Sequence, residues 1–382
     1  MKRLCAAALA CVLVAPELSA AAPGLLHFTP AERERIASHG PWPPTPAPDP
    51  SNRVDGRPAA VAYGRLLFFD AALSADGTLS CASCHRAELA FQDGRRVARG
   101  RADGLRNTPG LLDAAQRRWL GWDGAHDSLW AASVAPLVAQ REMAASPAQV
   151  AATVRREPRL ATGYRAAFGV DAGPDDERVL VDLGKALAAY QATLVSERVP
   201  FDDFRDALAR GDHDDASRYP LAAQRGLRLF IGEGRCSVCH AGPSFTNGEF
   251  ADVGVPHFVP GGVDGGRHDG LSRMRPSRYN RLGPHNDAGA ADPHAVTTRH
   301  VAPQHRNFGE FRVPGLRQLV HTAPYMHDGS LATLEDVVRH YSELNEERLH
   351  SDGERILRAL HLTPGQREDL AAFLRSLSTG GL

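Results

Sequence analysis

The sequence predicts a mainly α-helical protein built as two halves of like design. Three observations carry this. The run Cys-x-x-Cys-His occurs twice, as Cys81-Ala-Ser-Cys84-His85 and Cys236-Ser-Val-Cys239-His240. Each copy follows a short amphipathic segment of the same pattern, Gly64-Arg-Leu-Leu-Phe68 and Gly226-Leu-Arg-Leu-Phe230. Each half then closes on an apolar stripe at helical spacing. The stripes are Leu183, Leu187, Tyr190 and Leu194 in the first half, and Leu370, Phe373, Leu374 and Leu377 in the second.

Taken in order, Met1-Lys2-Arg3 is basic, Leu4 to Val14 is apolar, and Ser19-Ala20-Ala21-Ala22 is a run of small residues. This reads as a signal peptide over residues 1–22, and hence as export to the periplasm. The apolar run is too short to span a membrane. Residues 23–60, with Pro41-Trp-Pro-Pro-Thr-Pro-Ala-Pro48, read as an extended arm on the surface or a disordered linker. Residues 61–200 are expected to form the first motif-bearing domain and 201–382 the second. The Asp-rich stretch Arg198 to Tyr219 reads as the hinge between them. The last helix has a marked start: Thr363 as N-cap, Pro364 in the first turn and Gln366 three residues after the cap.

The chemistry starts from the cysteines. Of six, Cys5 and Cys11 leave with the signal, and the other four all lie in the two Cys-x-x-Cys-His runs. Such a run attaches a c-type haem: both sulfurs bond the porphyrin, and the adjoining histidine binds the iron. A zinc site or a redox dithiol is disfavoured, because histidine follows each pair directly and the chain is exported. The expectation is two cytochrome-c-like helical domains, each with one covalently bound haem c. Cys81, Cys84 and His85 would hold one, and Cys236, Cys239 and His240 the other. The formal net charge is −1 and apolar residues make up 43%, which fits a globular protein and argues against nucleic-acid binding.

Beyond these motifs, further runs resemble the bacterial dihaem cytochrome c peroxidases and their MauG-like relatives, over nearly all of residues 57–377. They are Phe91-Gln-Asp-Gly94, Arg106-Asn-Thr-Pro109, Trp122-Asp-Gly124, Pro136 with Glu142-Met143, Gly242-Pro-Ser-Phe245, Val313-Pro-Gly-Leu-Arg317 and Thr322-Ala-Pro-Tyr-Met-His-Asp-Gly329. The resemblance implies that the first haem reacts with hydrogen peroxide and the second stores charge. In the peroxidase branch a methionine binds the second iron. Counting from Thr322 without a gap, that place falls on Tyr341, as in the MauG-like branch. The alternatives are that Tyr341 is a packed helix residue, or that Met326 or His340 is the ligand. Tyrosinate favours oxidised iron, whereas methionine raises the potential.

The resemblance implies further roles. The loop Arg95–Leu105 carries no histidine to close the first haem, and Arg99 holds the corresponding place. Glu142 matches the distal glutamate that moves the peroxide proton. The family's distal glutamine falls on Ala132, for which His126 or Trp130 could substitute, and Ala125 stands where the family has arginine. Trp122 matches a tryptophan between the haems, able to relay charge. One Ca2+ would take the Asn107 side chain and the carbonyls of Thr322 and Pro324.

The expected activity is therefore that of a haem-dependent oxidoreductase. It would pass oxidising equivalents through Trp122 to a His/Tyr haem and oxidise a partner protein, for example at a tryptophan. One alternative is a peroxidase that draws electrons from a small cytochrome c or a copper protein. The other is a dihaem electron carrier without enzymatic activity.

Overall fold

The computed structural model describes residues 24–45, 47–353 and 356–382; the predicted signal segment lies outside them. Among these residues the architecture is helices joined by long loops, with only two antiparallel pairs of two-residue strands.

Two apolar cores organise the chain. The first gathers the helices Pro58–Phe68, Leu129–Val138, Pro147–Arg156, Pro158–Phe168 and Asp176–Gln191. Leu67, Phe68, Leu183 and Leu187 are fully buried in it. The second gathers Pro200–Arg210, Leu221–Ile231, Leu334–Ser342 and Pro364–Arg375, with Phe201, Phe230 and Phe373 fully buried. The repeat seen in the sequence has a packing reason. In the first half the Pro58–Phe68 helix crosses Asp176–Gln191 at Gly64, where a Cβ would strike the Ala186 carbonyl and the Tyr190 side chain. In the second half, Leu221–Ile231 crosses Pro364–Arg375 at Gly226, against the Asp369 carbonyl and Phe373. Only hydrogen fits at either crossing. Gly226→Ala is expected to lower unfolding stability by about 1–3 kcal/mol, read by denaturant melts of the haem-loaded protein. An unchanged melt would mean the crossing is not tight.

The final helix starts as its sequence predicts. Thr363 Oγ1 accepts from the Gln366 N–H at 3.3 Å, and Gln366 Oε1 accepts from the Thr363 N–H at 2.9 Å. Leu194 and Leu377 fall just past their helix ends yet still pack on the cores.

Two stretches differ from their sequence reading. Arg198 to Tyr219 is not a hinge. It contains the Pro200–Arg210 helix, whose Phe201, Phe204 and Leu208 are buried. Their spacing is helical, so the acidic residues mark the outer face of an amphipathic helix. One acidic residue points inward: Asp202 is buried between Arg205 and Arg317, at 2.9 Å and 2.8 Å. The N-terminal stretch is partly helical over Pro30–Ala37, capped by Thr29. Its Phe28 and Ile36 join the second core although the stretch precedes the first half in sequence. Trp42 then donates to the Ser196 carbonyl at 2.9 Å, and the Arg317 guanidinium lies 3.6 Å above its ring.

The halves meet through polar contacts. Arg106 forms a two-pronged ion pair with Asp264 at 2.7 and 2.6 Å, and reaches Asp123 at 2.6 Å. Strand Phe250–Ala251 pairs with Phe311–Arg312, and the Arg312 N–H donates to the Trp122 carbonyl at 2.7 Å. These bonds bring Trp122, from the first half, against the second.

Candidate dihaem site

Both motif histidines are held alike. His85 Nδ1–H donates to the Phe91 carbonyl at 2.8 Å, and His240 Nδ1–H to the Phe245 carbonyl at 3.0 Å. Each phenylalanine has positive φ, 60° and 53°, so the chain turns back sharply to present that carbonyl. A histidine so bonded keeps Nε2 as the free lone pair. Burial lowers the pKa of both rings, which favours the neutral, ligating form. None of the four motif cysteines is in a disulfide. Burial raises the Cys81 thiol to about 12 and that of Cys84 to about 11.

Glu142 lies beside the first motif, close enough that its charge further opposes ionisation of Cys81 and Cys84. It follows the Leu129–Val138 helix in a turn closed by its own N–H on the Ala139 carbonyl at 2.9 Å. Its side chain is exposed, yet neighbouring protein atoms partly desolvate the carboxyl and raise its pKa. The Arg95–Leu105 loop packs on this turn through backbone, the Arg101 N–H donating to the Glu142 carbonyl at 3.3 Å. The Arg99 carbonyl meets Cys84 Sγ at 3.5 Å, while the Arg99 guanidinium turns outward to Asp103 at 3.7 Å.

The residues considered as replacements for the absent glutamine separate. Trp130 is fully buried and donates to Ser51 Oγ at 2.9 Å, so it is a core residue. His126 is half-buried with its pKa lowered by burial; its charged neighbours are Asp123 and Arg273, on the junction side. Ala132 is half-buried in the Leu129–Val138 helix and offers no polar atom.

At the second motif, Tyr341 sits on the Leu334–Ser342 helix. Burial raises its hydroxyl pKa well above the usual phenol range, and the Cys236 and Cys239 thiols add to the shift. The hydroxyl thus lies near the motif cysteines. His340 points elsewhere: its Nε2 meets the Val253 carbonyl at 2.7 Å. Met326 lies in the turn closed by the Gly329 N–H on its carbonyl, in the loop that docks on the first half.

Trp122 is half-buried at the junction and donates from Nε1 to the Asn107 carbonyl at 2.9 Å. The Arg312 guanidinium lies 5.8 Å from its ring centre. Asn107 is buried; its Nδ2 donates to the Arg95 carbonyl at 2.8 Å, which leaves Oδ1 as an acceptor. The 322–329 loop docks here, with the His327 carbonyl accepting the Asn107 N–H at 2.7 Å. The Thr322 and Pro324 carbonyls accept no hydrogen bond among the described residues.

The sequence reading missed two arginines, Arg117 and Arg312. Arg312 is 5% exposed, and among the described residues its side chain donates only to the Gly121 carbonyl, at 3.2 Å. Burial, with Arg117 nearby, lowers its pKa to about 9. Arg117 donates to the Gly110 and Leu112 carbonyls at 2.9 and 2.6 Å and lies near enough to His85 to influence its charge. Among the described residues neither guanidinium has a carboxylate in ion-pair contact, although the Asp113 carboxylate lies near enough to Arg117 to favour its charge. A buried cation without an anion, as at Arg312, is costly, and a haem propionate would supply the anion. A cavity of about 650 Å³ opens at Cys239 beside apolar Leu271, Val313, Leu349, Ile356 and Leu357. Cysteines outside any disulfide, neutral histidines, a cavity with apolar residues at Cys239 and the buried Arg312 cation all fit haem.

A helical protein with two such motifs is a dihaem c-type oxidoreductase. Comparison with known proteins narrows this. The family described as di-haem cytochrome c peroxidase matches residues 58–210. The methylamine utilization protein MauG of Methylorubrum extorquens is 35% identical over 322 residues, which are 84% of this chain and 78% of that protein. The cytochrome-c peroxidase IdrP1 of Denitromonas iodatirespirans is 32% identical over 349 residues, covering 89% and 86%. A solved MauG-like protein associated with microbial copper homeostasis is 28% identical, with a TM-score of 0.65, over 89% of this chain and 95% of that one. The chain belongs to the di-haem cytochrome c peroxidase and MauG family and is a haem-dependent oxidoreductase with two haem cofactors. Among the described residues no helix is long and apolar enough to cross a membrane.

Proposed function

We propose that this protein is a periplasmic, MauG-like enzyme that reacts with hydrogen peroxide at the first motif and oxidises a partner protein. The carrying observation is the unequal setting of the two motifs: a carboxyl beside the first, a phenol near the second. The haems, when bound, supply peroxide activation and one-electron storage. His85 and His240 each offer Nε2 to an iron. Tyr341 offers its oxygen to the second iron, and ferric charge would offset the burial that keeps the phenol protonated. Arg117 and Arg312 receive propionates. Glu142 takes a proton from peroxide and returns it to the departing oxygen. Ala132 adds no donor, so water serves there. Trp122 relays charge by losing and regaining an electron, and Arg312 above its ring sets how readily it does so. Asn107 Oδ1 and the Thr322 and Pro324 carbonyls form the proposed Ca2+ site, completed by water.

A second reading has its own support, since a cytochrome-c peroxidase is 32% identical over 89% of the chain. In it, a small cytochrome or copper protein donates electrons to detoxify peroxide. Rapid mixing of the diferric protein with stoichiometric peroxide separates the readings. A long-lived oxidised state shared by both haems supports the MauG-like one. A state that persists only until reduced cytochrome is added, and then turns over fast, selects the peroxidase. Two low-spin haems in the resting ferric spectrum, with no reaction, would leave an electron carrier.

A further inference from the structure

Two loops of the second half meet beside the cavity that opens at Cys239. His305, His350 and Asp352 each bring a donor atom there, and the three atoms lie within 4.8 Å of one another. We propose that these residues bind a divalent transition-metal ion, of the Zn2+ or Cu2+ kind, at the mouth of the second haem cavity.

Residue type comes first. Two imidazoles and one carboxylate form a donor set suited to Zn2+ or Cu2+ and poorly suited to Ca2+ or Mg2+, which take oxygen. Three protein donors leave a position for water. Geometry comes next. His305 Nδ1 and Asp352 Oδ2 are 2.8 Å apart. Two donors each about 2.0–2.2 Å from one ion stand at about that separation when they subtend a right angle. A proton now shared between them would give way to the ion. The ring of His350 lies 5.0 Å from that of His305, inclined at 65°, so the two are not stacked. The Asp352 N–H donates to His350 Nδ1 at 3.2 Å, which marks that nitrogen as the unprotonated one. A bond this long yields readily to a metal.

Both loops are pinned. The Asp252 carboxylate accepts the His350 N–H at 2.8 Å. Asn307 Oδ1 accepts the Gln304 N–H at 2.9 Å and closes the His305–Asn307 turn. Stability alone does not account for the cluster. The His305 and Asp352 side chains are 79% and 59% exposed, and an exposed ion pair contributes little. Position links the site to the haem. His350 lines the same cavity as Cys239, so an ion there would lie near the second porphyrin edge.

The test uses the haem-loaded protein after treatment with a chelator. Zn2+ titration by calorimetry is expected to show one tight site per chain, with protons released on binding. His305→Ala and His350→Ala should each weaken it at least tenfold, because even outer-shell partners of a metal commonly contribute 10–100-fold. Cu2+ should give an electron paramagnetic resonance signal split by nitrogen, lost in His350→Ala. Haem content should be unchanged in both variants, which excludes misfolding as the cause. No stoichiometric uptake by the wild type would overturn the proposal and leave an ion pair. Equal affinity in both variants would also overturn it, since other histidines would then be the ligands. None of these readouts requires turnover of peroxide.

Discussion

Replacing Glu142 by glutamine is expected to slow the reaction of the diferric protein with hydrogen peroxide by about 10²–10⁴-fold, the usual contribution of a positioned acid–base group. Haem content and resting spectrum should not change. The pH dependence gives an independent check. The group must be ionised to take the first proton, so the rate should fall as pH drops through its pKa. Partial desolvation places that pKa above the ordinary carboxylate value, so the falling limb should lie at higher pH than for a fully solvated glutamate. The neighbouring Cys81 and Cys84 would be thioethers in the loaded protein and would not titrate. The limb should disappear in Glu142→Gln. A variant with wild-type rate and an unaltered limb would remove Glu142 from the chemistry and leave proton transfer to water.

Changing Tyr341 has the second large effect, at the other haem. Tyr341→Phe removes the oxygen and should convert the low-spin ferric haem to high spin, with the first haem unchanged. Tyr341→Met offers a thioether instead and should raise that haem's reduction potential by on the order of hundreds of millivolts, within the roughly 0.8 V range that axial ligands span. Spectroelectrochemistry of each variant reads both effects. Unchanged spectra would assign the ligand to another residue. His340 is the weakest substitute, because its Nε2 is engaged with the Val253 carbonyl.

Much of this was legible in the sequence because it is local. Thr363, Pro364 and Gln366 lie within one turn, and their capping bonds form as the spacing predicts. The Cys-x-x-Cys-His runs carry their cofactor chemistry in five residues. Gly64 and Gly226 stood out as a repeat, although the reason, a carbonyl of another helix at each, lies more than a hundred residues away. Where patterning was misread, composition had masked period. The aspartates between Arg198 and Tyr219 hid the stripe of Phe201, Phe204 and Leu208. Arg117 and Arg312 carried no local signal, since an arginine in a loop is ordinarily solvated.

By itself the sequence determined that there are two haem attachment points, two helical halves, and which segments start and cap the main helices. These follow from covalent spacing and from periodicity, which act over a few residues. Tertiary structure decided the rest. It carried Phe28 and Ile36 across into the second core, brought Trp122 from the first half under Arg312 of the second, turned Trp130 away to Ser51, and joined His305 to His350 and Asp352. Each depends on which apolar faces bury together and on where buried polar groups find partners. Those are contacts between residues far apart in the chain, and they are set only when the helices pack.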